Sequence, residues 1–202
     1  MIRSFTEQVK RRISSNVKNW VFTPNDFKNI ASLTTIEKIL SRLVEEGSVN
    51  RIRRGLYYKV EKSRWGIVPP SQSEIIKALS RHMNTKFLLD GANALHSLGL
   101  TRQIPMKSVY LTNKRISPII INKMKIEFKQ VSVKKLSGAG KTTGLYLSAI
   151  EHLGKDETNH EEMQQRVSKT LNKETARALQ NASKHRAAWV REVVEQIVMK
   201  VS

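Results

Sequence analysis

The fold is decided by residues 34–58, TTIEKILSRLVEEGSVNRIRRGLYY, which hold an amphipathic helix followed by a hairpin. The apolar face of the helix follows the spacing i, i+3, i+4 and i+7, and its members are Ile36, Ile39, Leu40 and Leu43. Gly47 is suited to end this helix because glycine adopts left-handed backbone angles without steric cost. Two short strands then flank an Arg54-Gly55 turn. The stretch predicts a helix that begins near Thr34 or Thr35 and a two-stranded hairpin over residues 48–58.

Two further helices are predicted before this stretch. The first has an apolar residue every four positions, at Phe5, Val9, Ile13 and Val17, with Ser4 as its N-cap. The second begins at Thr23-Pro24, a capping hydroxyl followed by proline in the first turn, and runs to Ala31. Such an order is the winged helix-turn-helix plan, in which the third helix enters a DNA major groove and the hairpin lies on the neighbouring backbone.

A domain boundary is predicted at Val68-Pro69-Pro70-Ser71, because consecutive prolines disfavour helix and remove backbone donors. We therefore expect a winged helix-turn-helix DNA-binding domain over residues 1–66. Residues 70–202 are expected to form a small α/β domain that ends in helices from about residue 156. The last of these carries an apolar stripe from Val190 to Val201, which is predicted to pack on the chain's own core. The predicted fold class is α+β.

The charge of the chain points to a polyanionic partner. The formal net charge is +19, divided into +8 over residues 1–65, +10 over 66–155 and +1 over 156–202. Nucleic acid is the first candidate for such a partner, and a solubilising basic surface is the alternative. The chain has no cysteine, which excludes disulfides and thiolate zinc sites. It also has no apolar run of the length of a membrane span, so we expect a cytoplasmic protein with no membrane partner.

Candidate DNA-binding residues lie on the outward positions of the third predicted helix and on the hairpin. Hydroxyls and helix N-termini bind phosphates, and Lys or Arg reach guanine edges. Two residues apart on one strand, Arg51 and Arg53 are predicted to share a face. The candidates for DNA binding are Thr34, Thr35, Lys38, Arg42, Arg51, Arg53 and Arg54. A winged helix that serves only as a protein-interaction module remains the alternative.

A second basic surface is predicted in the stretch 102–141, which contains ten Lys and Arg residues and a single acidic residue, Glu127. It would carry Lys123, Lys125, Lys129, Lys134 and Lys135. Its expected role is a second surface for nucleic acid or for a protein partner, and a solvated basic rim is the open alternative.

No catalytic residue, metal site or cofactor is predicted. The loop Ser137–Thr143 matches only the end of a P-loop, because Lys135 stands where the first glycine is required. The five histidines have no metal-binding spacing. We therefore expect a protein that is not an enzyme, and a nucleotide-binding enzyme is the weakest alternative.

The pattern LSRL…G…RIRRGLYY, within residues 35–58, resembles the winged-helix start of AbiEi-type antitoxins of type IV, or abortive-infection, toxin–antitoxin systems. The resemblance continues through Pro69-Pro70, the stretch 90–100, Thr143-Gly144 and Trp189-Val190. It implies a phage-defence antitoxin that binds double-stranded DNA at its own promoter, represses its operon and counteracts a nucleotidyltransferase-like toxin. The alternative is a protein-interaction module that neutralises the toxin directly, with incidental DNA binding. A homodimer would fit paired DNA half-sites.

Overall fold

The computed structural model describes residues 4–64 and 66–201 and has an α+β fold, as the sequence predicts. Among these residues, no helix combines the length and apolar character needed to cross a membrane. Contacts divide the chain into two compact units. The first comprises Met1–Asn84 and Ile119–Met124, and the second comprises Thr85–Pro118 and Lys125–Ser202.

The described elements of the first unit follow the winged-helix order with added strands and a helix. In chain order they are α1 Phe5–Ser15, β1 Val21–Phe22, a 3-10 helix Pro24–Phe27, α2 Leu33–Glu45, β2 Val49–Arg53, β3 Leu56–Lys59, β4 Glu61–Ser63, β5 Gly66–Val68 and α3 Gln72–Met83. Strands β1, β3 and β2 form an antiparallel sheet in that order. Strands β4 and β5 form a separate antiparallel hairpin.

Side-chain caps set where the helices of the first unit begin. Ser4 caps α1 in a capping box with Glu7. Ser32 caps α2 by accepting from the backbone N–H of Thr35, so α2 begins at Leu33, before the predicted Thr34 or Thr35. Gly47, with a φ of +72°, follows the end of α2 as predicted.

The second predicted helix of the winged-helix plan is shorter than expected. A helix from Thr23 to Ala31 is wrong, because only Pro24–Phe27 is helical and the turn is of the 3-10 kind. The carboxylate of Asp26 accepts from the backbone N–H of Thr23 at 2.8 Å, which closes this one turn on itself. The buried ring of Phe27 then fixes the turn against the core.

The core of the first unit is built around an aromatic cluster. The ring centroid of Phe22 lies 4.7 Å from that of Trp20, 5.4 Å from that of Phe27 and 6.2 Å from that of Tyr57. The buried faces of α1 and α2 pack on this cluster with Val9, Ile13, Ile36, Ile39, Leu40 and Leu43. Most of the periodic apolar residues of both helices are therefore core residues, as predicted.

Two residues of the predicted stripe of α1 are outside the core. The side chains of Phe5 and Val17 are 52% and 66% exposed. Phe5 lies in the first turn of the helix, and α1 ends at Ser15, where Asn16 takes extended backbone angles. The predicted continuation of the helix to Val17 is therefore wrong.

Helix α3 belongs to the first unit, although the sequence places a domain boundary before it. Arg81 on α3 donates from Nη2 to the carbonyl of Val21 at 3.0 Å, and its Nε lies 3.6 Å from the carboxylate of Asp26. The contacts accordingly divide the chain after Asn84, and not at Pro69-Pro70.

The described elements of the second unit begin with two short elements and end in helices. They are β6 Leu88–Leu89, α4 Gly91–Ser97, β7 Ser108–Thr112, β9 Met124–Gln130, a 3-10 helix Val133–Leu136, α5 Thr142–Asn159, α6 Glu161–Ser168, α7 Lys173–Ser183 and α8 Ala188–Met199. Strand β8, Ile119–Ile121, lies between β7 and β9 in the sequence and belongs to the first unit. Strand β7 pairs antiparallel with β6 and parallel with β9.

The C-terminal stripe packs on the core of its own unit, as predicted. The buried residues of α8 are Val190, Val193, Val194 and Ile197. They join one cluster with α5 residues such as Leu147 and Ile150, and with Leu179 of α7. The stripe is therefore a core element.

Candidate nucleic-acid interface

The exposed face of α2 presents hydroxyls near its start and cations in its middle. Thr34, Lys38, Ser41 and Arg42 are exposed, while Ile36, Leu40 and Leu43 are buried on the other side of the helix. Lys38 and Arg42 are four residues apart, so they lie one above the other on one face. A helix with this face could be inserted in a major groove while its buried face stays in the core.

Thr35 is not a free hydroxyl of this face. It is half-buried, and its Oγ1 lies 2.9 Å from the Oγ of Ser32. The same Ser32 oxygen accepts from the backbone N–H of Thr35. The hydroxyl predicted to contact DNA is thus engaged in the cap of α2, which leaves Thr34 as the exposed hydroxyl of the first turn.

The cations of this face and of the hairpin have no carboxylate partner among the described residues. Within residues 4–64 and 66–201, Lys38, Arg42, Arg51 and Arg54 form no ion pair. Elsewhere in the first unit, some cations are held by carboxylates, in the pairs Lys10–Glu46, Lys18–Glu61, Lys77–Glu74 and Arg81–Asp26. The exposed Arg11, Lys28 and Lys62 also form no ion pair among the described residues. Four exposed cations of α2 and the hairpin are therefore available to an external anion.

Acidic residues limit this face at the end of α2. Glu45 is exposed seven residues after Lys38 and so lies on the same side of the helix. A carboxylate there repels phosphate, as does the exposed Glu37 beside Lys38, so contact with DNA would depend on Thr34, Lys38 and Arg42.

The hairpin does not place Arg51 and Arg53 on one face. Arg51 pairs with Tyr57 and Arg53 pairs with Leu56, with a register shift between them. Ile52 is the extra residue of this bulge. Because directly opposed residues share a face and Tyr57 and Leu56 are consecutive, Arg51 and Arg53 project to opposite faces. The predicted shared face is therefore wrong.

The three hairpin arginines differ in exposure. Arg51 and Arg54 are exposed, and Arg54 lies beside Gly55, whose φ of +76° makes the tight turn. Arg53 is half-buried, and burial lowers the pKa of its guanidinium below the ordinary value. An arginine stays charged in proteins even so. Arg51 and Arg54 are thus the hairpin residues best placed for phosphates.

Leu33 is an exposed apolar residue at the start of α2 that sequence reasoning missed. Its side chain is 47% exposed although it opens the apolar pattern of α2. The signal was its position directly after the N-cap Ser32, where the helix has no preceding turn to cover it. An apolar group there is suited to contact a thymine methyl.

The predicted second basic surface is partly neutralised within the protein. Lys125 lies 2.8 Å from the Glu127 carboxylate, and Lys135 forms an ion pair with Glu151. Lys123 belongs to the first unit, whereas the other four lysines belong to the second. The exposed Lys129 and Lys134 form no ion pair among the described residues.

The P-loop-like segment, Ser137–Thr143, makes hydrogen bonds and close contacts within the second unit. The carbonyl of Ser137 accepts from Arg186 Nη2 at 3.0 Å, and the Ser137 hydroxyl donates to the carbonyl of Ala182 at 3.1 Å. Gly144 packs so closely that a Cβ there would lie 2.4 Å from the Gly138 carbonyl oxygen. Among the described residues, no group of three His, Asp or Glu side chains is placed to hold a metal ion.

Comparisons with known proteins give a family but no activity. Residues 8–179 match a family described as "Family of unknown function (DUF6088)". No curated protein matches the chain. Among solved structures, the crystal structure of the RV2827C protein from Mycobacterium tuberculosis is 12% identical, with a TM-score of 0.45, over 100% of this chain and 78% of that chain. At this TM-score the likeness carries no functional argument.

Proposed function

The chain belongs to DUF6088, a family of unknown function, and we propose that this member binds double-stranded DNA through its first unit. Helix α2 enters the major groove with Thr34, Lys38 and Arg42 toward the bases and phosphates. Arg51 and Arg54 of the hairpin β2–β3 contact the adjacent backbone.

The observation that carries this proposal is the group of exposed, unpaired cations on α2 and the hairpin. Lys38, Arg42, Arg51 and Arg54 have no carboxylate partner among the described residues, and they lie on the helix and the hairpin that a winged helix applies to DNA. Each cation that neutralises a phosphate releases condensed counterions, and this release supplies affinity. The same cations would contribute little to the stability of the protein alone.

The rigid support of these cations favours DNA over an unspecific polyanion. The apolar face of α2 is buried in the aromatic core, and β3 lies in the middle of the three-stranded sheet. Side chains on rigid elements hold the geometry that base contacts require. We therefore infer binding with sequence preference, to which α2 contributes base contacts and the hairpin contributes phosphate contacts.

The biological role that we propose is that of an antitoxin which represses its own operon. Support comes from the resemblance of residues 35–58 to the winged-helix start of AbiEi-type antitoxins. The partner would then be a nucleotidyltransferase-like toxin encoded beside it, and the site of action would be the cytoplasm.

DNA binding is tested by fluorescence anisotropy with the full chain and a labelled duplex from upstream of its gene. A shuffled duplex of the same base composition is the control. We expect tighter binding to the upstream duplex by at least about 10³-fold, the lower bound for specific recognition. Equal affinity for both duplexes at every salt concentration would contradict sequence-specific binding.

The antitoxin role is tested separately by expressing the neighbouring gene with and without this protein. We expect growth arrest without it and recovery with it. The variant Lys38→Gln/Arg42→Gln distinguishes the two routes to neutralisation. Recovery by this variant, after loss of its specific DNA binding, would assign neutralisation to a protein-interaction module, and absence of recovery by the unaltered chain would contradict the antitoxin role.

A further inference from the structure

The second unit contains a polar cleft that is distinct from the DNA-binding face. It has a volume of about 210 Å³ and is lined by Ser132, Lys134, Lys135, Glu151, His185, Arg186 and Ala187. These residues come from three places in the chain: the 3-10 helix Val133–Leu136 and the residue before it, helix α5, and the turn between α7 and α8. The topology of one unit thus brings four basic side chains and one acidic side chain together.

The cleft carries an excess of positive charge. Lys134, Lys135 and Arg186 are cations at neutral pH, and Glu151 is the single carboxylate of the lining. Three positive charges against one negative charge leave two in excess, before any contribution from His185. Like charges in close proximity repel one another, so a bound anion would relieve this excess.

The frame of the cleft is fixed by a buried arginine. The side chain of Arg186 is 2% exposed, and its Nη1 donates to both carboxylate oxygens of Glu151 at 3.0 and 3.2 Å. Its Nη2 donates to the carbonyl of Ser137 at 3.0 Å. Its Nε is buried without a hydrogen-bond partner among the described residues. Arg186 thus has spare donor capacity at Nε, while Glu151 offsets its charge, so the excess of two positive charges corresponds to Lys134 and Lys135.

The rim of the cleft offers free donors for a ligand. Lys134 and His185 are exposed and have no partner among the described residues. Ala187, the N-cap of the twelve-residue helix α8, has no side chain that could cap the first N–H groups of this helix. Lysine ammonium groups and uncapped helix N–H groups are donors that bind phosphate oxygens.

We propose that this cleft binds a phosphate monoester. The monoester group is close to a dianion at neutral pH, because its second pKa is about 6, and it therefore matches the excess of two positive charges. A phosphodiester of the DNA backbone carries one negative charge and leaves half of that excess uncompensated. Lys134, Lys135 and His185 donate to the phosphate oxygens, and Arg186 holds Glu151 and the Ser137 carbonyl in place beneath them.

The proposal is tested by isothermal titration of the full chain with inorganic phosphate and with ribose 5-phosphate at constant ionic strength. Dimethyl phosphate, a monoanionic diester, is the charge control. We expect saturable binding of both dianions and binding of dimethyl phosphate that is weaker by about tenfold, the usual effect of one lost charge-assisted interaction. If dimethyl phosphate binds as tightly as ribose 5-phosphate, the match to a dianion is wrong.

The variant Lys134→Gln removes one proposed donor, and Lys173→Gln is its matched control. Both lysines are exposed in the second unit and free of ion pairs among the described residues, but Lys173 does not line the cleft. We expect Lys134→Gln to weaken binding of ribose 5-phosphate by about tenfold. The expected change for Lys173→Gln is less than about twofold, as for screened long-range charge. Equal weakening in the two variants, or no saturable binding by the unaltered chain, would overturn the proposal.

One further variant separates this site from the DNA-binding face. Lys38→Gln/Arg42→Gln alters only the first unit, so it is expected to bind ribose 5-phosphate as the unaltered chain does. Loss of phosphate binding in this variant would place the phosphate on α2 and overturn the assignment to the cleft.

Discussion

The guanidinium carbon of Arg51 lies 5.9 Å from the centroid of the Tyr57 ring. Tyr57 is buried and its ring stacks on that of Phe22, with centroids 6.2 Å apart. A core aromatic residue therefore holds an exposed cation of the hairpin in position, through a cation–π contact of a kind worth about 0.5–1 kcal/mol at exposed sites. The aromatic core and the proposed DNA contact are thus directly connected.

The hairpin arginines are predicted to supply affinity without sequence preference. Arg51→Gln and Arg54→Gln should each weaken binding to specific and shuffled duplexes alike, because each variant removes one phosphate contact. Anisotropy titrations at several salt concentrations should show that the slope of log affinity against log salt falls by about 1 per variant. A loss confined to the specific duplex would mean that these residues read bases.

Arg51→Lys is a conservative control for the contact with Tyr57. This variant keeps the positive charge but loses the planar group that stacks on the ring. The salt slope should be unchanged while the affinity falls modestly. An affinity as low as that of Arg51→Gln would show that planar geometry matters more than charge at this position.

The aromatic cluster is predicted to dominate the stability of the first unit. Phe22→Ala should reduce the free energy of unfolding by about 3–5 kcal/mol, since it leaves a cavity among Trp20, Phe27 and Tyr57. Phe5→Ala, which truncates an aromatic residue that is half exposed, is the control and should cost less than about 1 kcal/mol. Urea unfolding followed by circular dichroism measures both. Equal losses would mean that Phe5 belongs to the core.

Breaking the ion pair between Arg186 and Glu151 is predicted to lower the stability of the second unit. Arg186→Met should destabilise the second unit by about 1–3 kcal/mol, because Glu151 loses its buried partner and keeps only Lys135, and the Ser137 carbonyl loses its donor. Lys10→Met removes one partner of the exposed pair with Glu46 and should change stability by less than about 1 kcal/mol. Thermal unfolding of both variants provides the comparison, and a small effect of Arg186→Met would contradict the fixed frame of the phosphate cleft.

The pKa of Glu127 is predicted to lie below the ordinary glutamate value. A hydrogen bond from Lys125 is the main cause, and the nearby charges of Lys107 and Lys125 act in the same direction. Because the folded pKa is lower than the unfolded one, the stabilisation is complete above the ordinary value of 4.5 and is lost as the pH falls through the lower folded pKa. Carboxyl carbon NMR should show this depression, and Lys125→Met should raise the pKa toward the ordinary value.

The periodic helices of this fold were predictable from sequence, because burial follows one face. The stripes of α2 and α8 are core residues in the structure, and the hairpin turn lies at Arg54-Gly55 as expected. Where this apolar period is absent, the sequence predicts the extent of a helix less well. The single turn Pro24–Phe27 is held by Asp26, and a local hydrogen bond of this kind leaves no apolar period in the sequence.

The candidate site was predictable in its residue types but not in its geometry. Strand alternation places Arg51 and Arg53 on one face, and only the register with β3 shows the bulge that separates them. In the same way, Thr35 is of a residue type that contacts phosphates, but its hydroxyl is hydrogen-bonded to that of Ser32. The cleft around Arg186 was missed because its residues are distant in sequence and meet only through the packing of α5 and α8.

The proposed reading of DNA by α2 is tested by one pair of matched variants. Lys38→Gln/Arg42→Gln removes two exposed cations spaced four residues apart on α2. Lys173→Gln/Arg177→Gln removes the same two residue types, at the same spacing, from the exposed surface of α7. Both variants carry the same net charge, so a difference between them reports position and not total charge.

The measurement is the affinity of both variants for the upstream duplex and the shuffled duplex, by anisotropy at physiological salt. We predict that Lys38→Gln/Arg42→Gln binds the upstream duplex at least about 100-fold more weakly than the unaltered chain and loses most of its preference over the shuffled duplex. The α7 variant should keep that preference and change affinity by less than about threefold. Equal loss of affinity in the two variants, with the sequence preference intact in both, would contradict the account and leave α2 as an ordinary solvated helix.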